Sequence, residues 1–198
     1  MSRYENFATR ECLVPLVDME DFTPDYKKLA EESIQKTGRL TNSAKAMAHS
    51  DLALIARTFF STVAGGANLG SEFALLIRLL VSNLNTCVYC STHQTKSLVK
   101  MGLTQEKIEN VHAFKTHSAF SERERAALEF AMALTLDSAN IPDDVCERFT
   151  ATFTPEERVE ITLVASAMGM LNRFNDGLRV PIEEAAQDTA RSVANSFS

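Results

Sequence analysis

Apolar residues recur at the three- and four-residue spacing of amphipathic helices along most of the chain, and few segments alternate as strands do. Several runs follow helix-starting residues, such as the capping boxes at Ser121 and Thr154. The predicted helices run from Pro24 to before Gly38, from Ser50 or Asp51 to before Gly65, over Ser71–Leu84, from Cys87 to before Gly102, from Thr104, from Ser121 through Leu134, from Pro142 through Phe149, from Thr154 through Met168, and over part of the polar tail after Pro181. The pattern predicts an all-α fold.

The segment Ser71–Leu84 is apolar nearly all round, so we expect it to be a buried central helix. A faint repeat relates residues 79–82 to residues 163–166, an offset of 84 positions. If the repeat is a duplication, the bundle has two related helical halves, and the second carries the helix pair without its thiols. Two amphipathic helix pairs also resemble each other by composition alone. No segment has the composition of a linker, so we predict one domain over 1–198 with its core at about 20–180.

The chain has 198 residues and a net charge of −6, with no basic block. These features argue against nucleic acid and anionic membrane surfaces as partners. The N-terminal residues lack the apolar stretch of a signal peptide, and the longest apolar run, 161–171, is too short to cross a bilayer. We therefore expect a cytoplasmic protein.

Two of the four cysteines stand three positions apart, in the stretch Cys87-Val88-Tyr89-Cys90-Ser91-Thr92-His93. Four cysteines in a chain of this length do not make a disulfide scaffold, and we interpret Cys12 and Cys146 as small buried side chains. Two thiols at the start of a helix can meet each other, and the positive end of the helix stabilises a thiolate. The stretch therefore predicts a dithiol redox centre.

Helical spacing puts Cys90 above Cys87, and both His93 and Gln94 approach Cys90 on the same face. The helix N-terminus favours Cys87 as the thiolate and the nearby imidazole favours Cys90, so the residues alone do not rank the two thiols. A structural zinc site made with His112 and a second histidine is an alternative, as are two inert buried thiols. The zinc pattern, Cys87, Cys90, His112 and His117, fits poorly inside an apolar helical core.

The buried helix that runs into Asn85-x-Cys87-x-Tyr89-Cys90-x-x-His93 resembles the signature of the AhpD-like branch of the carboxymuconolactone decarboxylase superfamily. The chain length and the stretch Arg173-Phe174-Asn175-Asp176-Gly177 resemble its peroxidase-related subgroup. The resemblance is strongest over 71–110 and extends over most of 20–180. It implies an all-α bundle, a homo-oligomer, and reduction of hydroperoxides or disulfides without a resident cofactor or metal. It also implies that Cys90 attacks the substrate, that Cys87 resolves the product, and that an external dithiol or a redox partner protein restores them.

Two positions differ from the family pattern, and both concern proton transfer. Gln94 stands where many relatives place the relay histidine, and His93 comes one position earlier. Leu75 stands where the family often has a glutamate, and the nearest acid, Glu72, lies one helical turn earlier, about 4.5 Å along the axis. Glu72 is either a relay carboxylate or a solvated residue of the first helical turn. We therefore take Cys87, Cys90 and His93 as catalytic candidates, with Glu72, Gln94 and Tyr89 in support.

Three functions remain open at this point. The first is a dithiol oxidoreductase that reduces a hydroperoxide and is regenerated by an external dithiol. The second is a non-catalytic redox-sensing or interaction protein whose thiols report oxidation. The third is an acid/base enzyme of the decarboxylase type that uses His and Glu without redox cysteines.

Overall fold

A computed structural model describes residues 3–197, and these residues form helices joined by turns and loops, with no strand in that range. The helices are α1 (Arg3–Ala8), α2 (Pro24–Thr37), α3 (Asn42–Met47), α4 (Leu52–Val63), α5 (Ser71–Leu84), α6 (Val88–Lys100), α7 (Gln105–Glu109), α8 (Glu122–Leu136), α9 (Asp143–Thr152), α10 (Pro155–Gly177) and α11 (Gln187–Ser196). The all-α prediction is confirmed. Helices α1 and α3 were not predicted, and α4 begins at Leu52 with Asp51 as its N-cap.

The starts of α8 and α10 confirm the two predicted capping boxes. The hydroxyl of Ser121 accepts the N–H of Glu124, whose carboxylate accepts the N–H of Ser121. Thr154 and Glu157 make the same reciprocal pair at α10. Each box satisfies donors that the first helical turn leaves open, so these two boundaries follow from local sequence.

Helix α5 lies at the centre of the molecule, as its apolar sequence predicts. Its residues from Ala74 to Ile77 and from Leu79 to Ser82 are buried, and it packs against α6, α8 and α10. The buried apolar side chains of the described residues form one core cluster. The predicted domain, 1–198, extends beyond the described range and stays a prediction.

A tight turn joins α5 to α6 and sets the position of the cysteine motif. Thr86 adopts a left-handed conformation with φ of 52°, which is unusual for a β-branched residue. The N–H of Cys87 then donates to the carbonyl of Ser82 at 3.0 Å. Nearby, the side chain of Asn172 on α10 bonds to Asn85 and to Ser82. These contacts fix α10 beside the start of α6.

Within the described residues, the structure contains no second helix pair at the offset of 84 residues. At an offset of 84 residues, the α5–α6 turn falls on residues 169–171, which lie inside the uninterrupted helix α10. Nothing in that stretch breaks the helix, because Gly169 is tolerated within it and no left-handed residue follows until Arg179. The second half therefore does not repeat the α5–α6 hairpin in that register.

No helix within residues 3–197 combines the length and the apolar character needed to cross a membrane. The cytoplasmic location stays a prediction.

Candidate dithiol active site

The two cysteines of the motif occupy the N-terminal end of α6. Cys87 is the N-cap residue, and its sulfur accepts the N–H of Cys90 at 3.4 Å. Both side chains are buried, with exposed fractions of 0% for Cys87 and 3% for Cys90. The predicted helix start at Cys87 is therefore present, and both thiols are free.

The surroundings of Cys90 suit a reactive thiolate. Cys90 lines a cavity, whereas Cys87 does not. The side-chain amide of Asn175 on α10 donates to the Cys90 sulfur at 3.2 Å. Arg78 on α5 also lines the cavity, and its charge interacts with Cys90. A hydrogen-bond donor and a cation both favour the charged form of a thiol.

The surroundings of Cys87 have the opposite effect. Burial raises the pKa of the Cys87 thiol well above its ordinary value, and the neighbouring Cys90 and the charge of Asp176 raise that pKa further. The N–H of Cys90 opposes these effects only in part. The pKa of Asp176 is also raised, because burial outweighs the lowering effects of a hydrogen bond with Cys87 and of the charge of Arg10. Cys87 is therefore a protonated thiol at neutral pH, and the carboxyl group of Asp176 lies beside it.

His93 lies one turn beyond Cys90 on α6, and both residues line the cavity. Its Nε2 atom is 2.9 Å from Oε2 of Glu183, and its ring meets the ring of Tyr89 edge-on at 4.7 Å. The distance to Glu183 is that of an ion pair, but the two groups are not aligned as a hydrogen bond, so the contact is mainly electrostatic. Glu183 therefore places a carboxylate oxygen beside the imidazole ring.

Glu183 comes from the segment between α10 and α11 and is held by several groups. Its Oε1 atom accepts the hydroxyl of Tyr89 at 2.8 Å and the N–H of Asn42 at 2.6 Å. The Tyr89 hydroxyl in turn accepts the N–H of Ser43 at 3.0 Å. Burial raises the pKa of Glu183, but His93, the N–H of Asn42 and the Tyr89 hydroxyl outweigh burial and lower that pKa to about 2. Glu183 is thus a carboxylate partner for the imidazole.

The other predicted side chains divide into two groups. Gln94 is buried and lines the cavity, as does Leu75, which stands at the position of the expected acid. Glu72 is exposed on the first turn of α5 and does not line the cavity. The structure does not bring Glu72 to the cysteines, because it lies a turn beyond Leu75, toward the helix end far from the α5–α6 turn.

Sequence reasoning missed Glu183, Asp176, Asn175 and Arg78 as site residues. Asn175 and Asp176 lie in the stretch 173–177, whose sequence resembles the peroxidase-related subgroup, and Glu183 lies in the polar tail after Pro181. No local pattern separates Glu183 from the exposed Glu184 beside it. The contacts arise when α10 and the following segment pack against α6.

The cavity beside Cys90 has a volume of about 360 Å³ and is open to solvent. Its walls come from α2, α3, α4, α5, α6 and α10 and from the loop before α3. The apolar lining residues are Leu29, Phe60, Ala64, Leu75, Met168 and Leu171, and the Lys, Arg, Asp and Glu residues of the lining are Glu32, Lys36, Arg39, Arg57 and Arg78. A small organic molecule fits this volume and shape.

The zinc pattern does not come together. Within residues 3–197, no three His, Cys, Asp or Glu side chains are grouped so that they can hold a metal ion. His117 instead lies 3.6 Å from a carboxylate oxygen of Glu106 and packs against Phe120.

Comparison with known proteins places this site in a family context. The carboxymuconolactone decarboxylase family matches residues 52–133, a range that contains both motif cysteines and His93 but not Asn175, Asp176 or Glu183. The uncharacterized protein YdfG of Bacillus subtilis (strain 168) is 32% identical over 101 residues, which cover 50% of this chain and 69% of YdfG.

Two solved structures extend the similarity. The debrominase Bmp8, in its apo form, has a TM-score of 0.81 and 23% identity, covering 95% of this chain and 99% of its own. A protein of unknown function from Agrobacterium tumefaciens, ATU0492, described as a candidate antioxidant defence protein AhpD, has a TM-score of 0.62 and 29% identity, covering 67% of this chain and 92% of its own. Both share the helical fold described above.

Proposed function

This chain belongs to the AhpD-like branch of the carboxymuconolactone decarboxylase family, and we propose that it is a dithiol oxidoreductase that reduces hydroperoxides. Cys90 is the attacking thiol, Cys87 resolves the intermediate, and an external dithiol restores both.

The difference between the two thiols carries this proposal. Cys90 faces the cavity, where the amide of Asn175 and the charge of Arg78 favour its thiolate. Cys87 is closed off from the cavity and stays protonated beside Asp176. A resolving thiol needs this arrangement, because it must wait for the first product and then lose its proton.

In the first step, the Cys90 thiolate attacks the terminal oxygen of the hydroperoxide and the O–O bond breaks. Cys90 becomes a sulfenic acid, and the alkoxide leaves. Protonated His93 gives its proton to the alkoxide, which yields the alcohol. Glu183 stabilises the imidazolium before that transfer and keeps the ring in place. His93 therefore acts as the general acid of this step.

In the second step, the sulfur of Cys87 attacks the sulfur of Cys90. Asp176 takes the Cys87 proton and passes it to the departing hydroxide, so the products are a disulfide and water. The external dithiol then reduces the disulfide and is itself oxidised, which returns the Cys90 thiolate and the His93 proton. One hydroperoxide and one dithiol are consumed in each cycle.

The experiment follows hydroperoxide-dependent oxidation of a dithiol, such as dihydrolipoamide, by wild-type protein and by Cys90→Ser, Cys87→Ser and Cys146→Ser. We expect no turnover with Cys90→Ser. We expect a single turnover with Cys87→Ser, with a sulfenic acid that a dimedone probe traps at Cys90. Cys146→Ser is the matched control, because Cys146 lies on α9 outside the cavity, and it turns over like the wild type.

The same measurements test the alternatives. Turnover by Cys90→Ser, or a sulfenic acid trapped at Cys87, contradicts the assigned roles. A disulfide that forms with peroxide but is never cycled by a dithiol favours a redox sensor. Activity on a lactone or keto acid that survives alkylation of the thiols favours the acid/base enzyme.

Reduction of an organic halide is a second candidate, because the fold shared with Bmp8 extends over nearly the whole chain, including the helices that form the cavity walls. The Bmp8 structures include a complex with 2,3,4-tribromopyrrole. In such a reaction, the Cys90 thiolate takes the halogen, the aryl carbon takes a proton, and Cys87 then displaces halide to form the disulfide. Halide release in place of peroxide-dependent turnover selects this reaction.

A homo-oligomer stays part of the proposal. Helix α4 exposes Leu52, Ile55 and Phe59, and α10 exposes Val159, Leu163 and Met170. Apolar side chains grouped on helix surfaces are compatible with contacts between copies of the chain. Sedimentation of the wild type and of Ile55→Glu tests this assembly.

A further inference from the structure

The Lys, Arg, Asp and Glu residues that line the cavity are mainly cationic, although the chain is acidic. Lys36, Arg39, Arg57 and Arg78 line it, with Glu32 as the only Asp or Glu among the described lining residues. The chain as a whole has a net charge of −6. A cavity of opposite sign to its protein concentrates ligands of the sign that the rest of the surface repels.

Among the described residues, none of these four cavity cations forms an ion pair with a carboxylate. The cations that do form such pairs all lie outside the cavity lining: Lys45, Lys107, Lys115, Arg123, Arg125 and Arg148. The cavity cations are therefore available to an anion that enters.

The burial of Arg78 is energetically unfavourable in the absence of an anion. Its guanidinium packs over the ring of Phe60 at 5.0 Å and donates one hydrogen bond to the carbonyl of Ala64. Its Nε atom is buried without a hydrogen-bond partner in the described part of the chain, and so is Nε of Arg39. Burial lowers the pKa of Arg78 to about 10. An unpaired buried cation is destabilising unless it has a partner in the working state.

We propose that the substrate of this site is an organic anion, with an apolar body and an acidic group such as a carboxylate. The apolar body packs against Leu75 and Met168, and the acidic group is bound by the cavity cations. The inference rests on the proposed function only for the reaction at Cys90, since the charge of the cavity is independent of that reaction.

Stabilising the Cys90 thiolate does not explain the whole cluster. Arg78 already supplies a cation whose charge interacts with Cys90, and it is the only one of the four on α5. Lys36 and Arg39 come from α2 and the loop after it, and Arg57 comes from α4. Three further unpaired charges from separate elements are explained by a ligand that carries its own negative charge.

Two alkylating reagents of the same size and different charge test the proposal without any turnover. Iodoacetate is an anion and iodoacetamide is neutral, and an ordinary thiolate reacts more slowly with iodoacetate because like charges repel. Rates at Cys90 and Cys146 are measured in the same reduced protein by peptide mass spectrometry. We expect the ratio of the iodoacetate rate to the iodoacetamide rate to be higher at Cys90 than at Cys146, and to fall as salt is added.

Substitution of single cavity cations shows which of them raise the rate ratio at Cys90. Arg57→Gln and Arg39→Gln each lower the ratio at Cys90 by about threefold, the effect of one unit charge at about 6 Å in a water-like dielectric. Lys100→Gln is the matched control, because Lys100 lies on α6 about 15 Å beyond Cys90 and outside the cavity lining. Arg78→Gln is expected to lower the ratio as well. Arg78→Lys keeps the charge and is expected to retain the ratio, so it serves as the test if Arg78→Gln does not fold.

The proposal is overturned if Cys90 and Cys146 give equal ratios, or if Arg57→Gln and Arg39→Gln leave the ratio at Cys90 unchanged.

A second comparison uses cumene hydroperoxide and its para-carboxylate as substrates, and we expect a higher kcat/KM for the carboxylate. If neither hydroperoxide turns over while the alkylation ratio behaves as expected, the anion site stands and the peroxidase proposal fails. If both turn over with equal kcat/KM and the ratio is flat, the peroxidase proposal stands and the anion site fails.

Discussion

The Glu183→Gln substitution removes the charge of the carboxylate beside His93 while keeping a side chain of nearly the same size. The amide oxygen of glutamine can still accept the N–H of Asn42 and the hydroxyl of Tyr89, which are the two neutral contacts of Glu183. The charge interaction with His93 is what the substitution removes. Its effect on stability is therefore expected to depend on pH.

The size of that effect follows from the pKa of Glu183, which the folded protein lowers from 4.5 to about 2. A pKa that is depressed in the folded state stabilises the protein above the ordinary pKa, and this stability is lost as the pH falls toward the folded value. Each pKa unit corresponds to about 1.4 kcal/mol, so the full contribution is about 3 kcal/mol. This is an upper limit, because 19% of the side chain is exposed and solvent screens the charge.

The assay is urea unfolding of the wild type and Glu183→Gln between about pH 3.5 and about pH 6. Over this interval, the wild type gains about 1.4 kcal/mol relative to the variant, as Glu183 becomes ionised in the unfolded chain. Glu184→Gln is the matched control, since Glu184 is the exposed neighbour, and its difference from the wild type stays nearly constant. If the curves of wild type and Glu183→Gln run parallel across this interval, the charged contact with His93 does not stabilise the fold and the reasoning is refuted.

Three further predictions concern single contacts. Asp176→Asn slows closure of the disulfide by about tenfold or more, because the amide cannot take the Cys87 proton. It leaves sulfenic acid formation at Cys90 unchanged. Stopped-flow measurement of both steps checks this prediction, and equal slowing of both steps contradicts it. Tyr89→Phe lowers the free energy of unfolding by about 1–3 kcal/mol, because the buried N–H of Ser43 and the carboxylate of Glu183 each lose a hydrogen-bond partner. A decrease below about 0.5 kcal/mol in urea unfolding argues against this prediction. Ser121→Ala lowers it by about 1 kcal/mol through loss of the N-cap, which the same assay detects, and no loss shows that the capping box of α8 does not contribute.

The parts of the fold that follow from local sequence were predictable. The boundaries of α8 and α10 rest on capping boxes made within four residues, and the burial of α5 rests on a segment that is apolar nearly all round. The start of α6 at Cys87 could be proposed for the same reason. In contrast, α3 carries few apolar residues at helical spacing, and its burial against neighbouring helices, rather than its pattern, makes it a helix.

The parts of the site that depend on packing between distant segments were not predictable. Asn175 reaches Cys90 across 85 positions of the chain, and Glu183 reaches Tyr89 across 94. Glu72 is the acid nearest in sequence to the expected position, but its side chain is exposed to solvent. The ranking of the two thiols also needed the structure, because burial beside Asp176 outweighs the favourable helix N-terminus at Cys87.

The proton chemistry and the charge of the cavity are connected by the location of one acid. The acid expected at position 75 is absent, and Glu183 supplies the carboxylate instead. Position 75 lines the cavity, so a glutamate there would put a second negative charge among the lining residues, where it would repel an anionic substrate. In this chain, Leu75 instead contributes an apolar side chain to the cavity lining. The carboxylate partner of His93 is Glu183, which does not line the cavity. Asp176 likewise serves Cys87 from outside the lining. Both acids that the proposed reaction needs are therefore kept out of the cavity, and its cations stay available for the substrate.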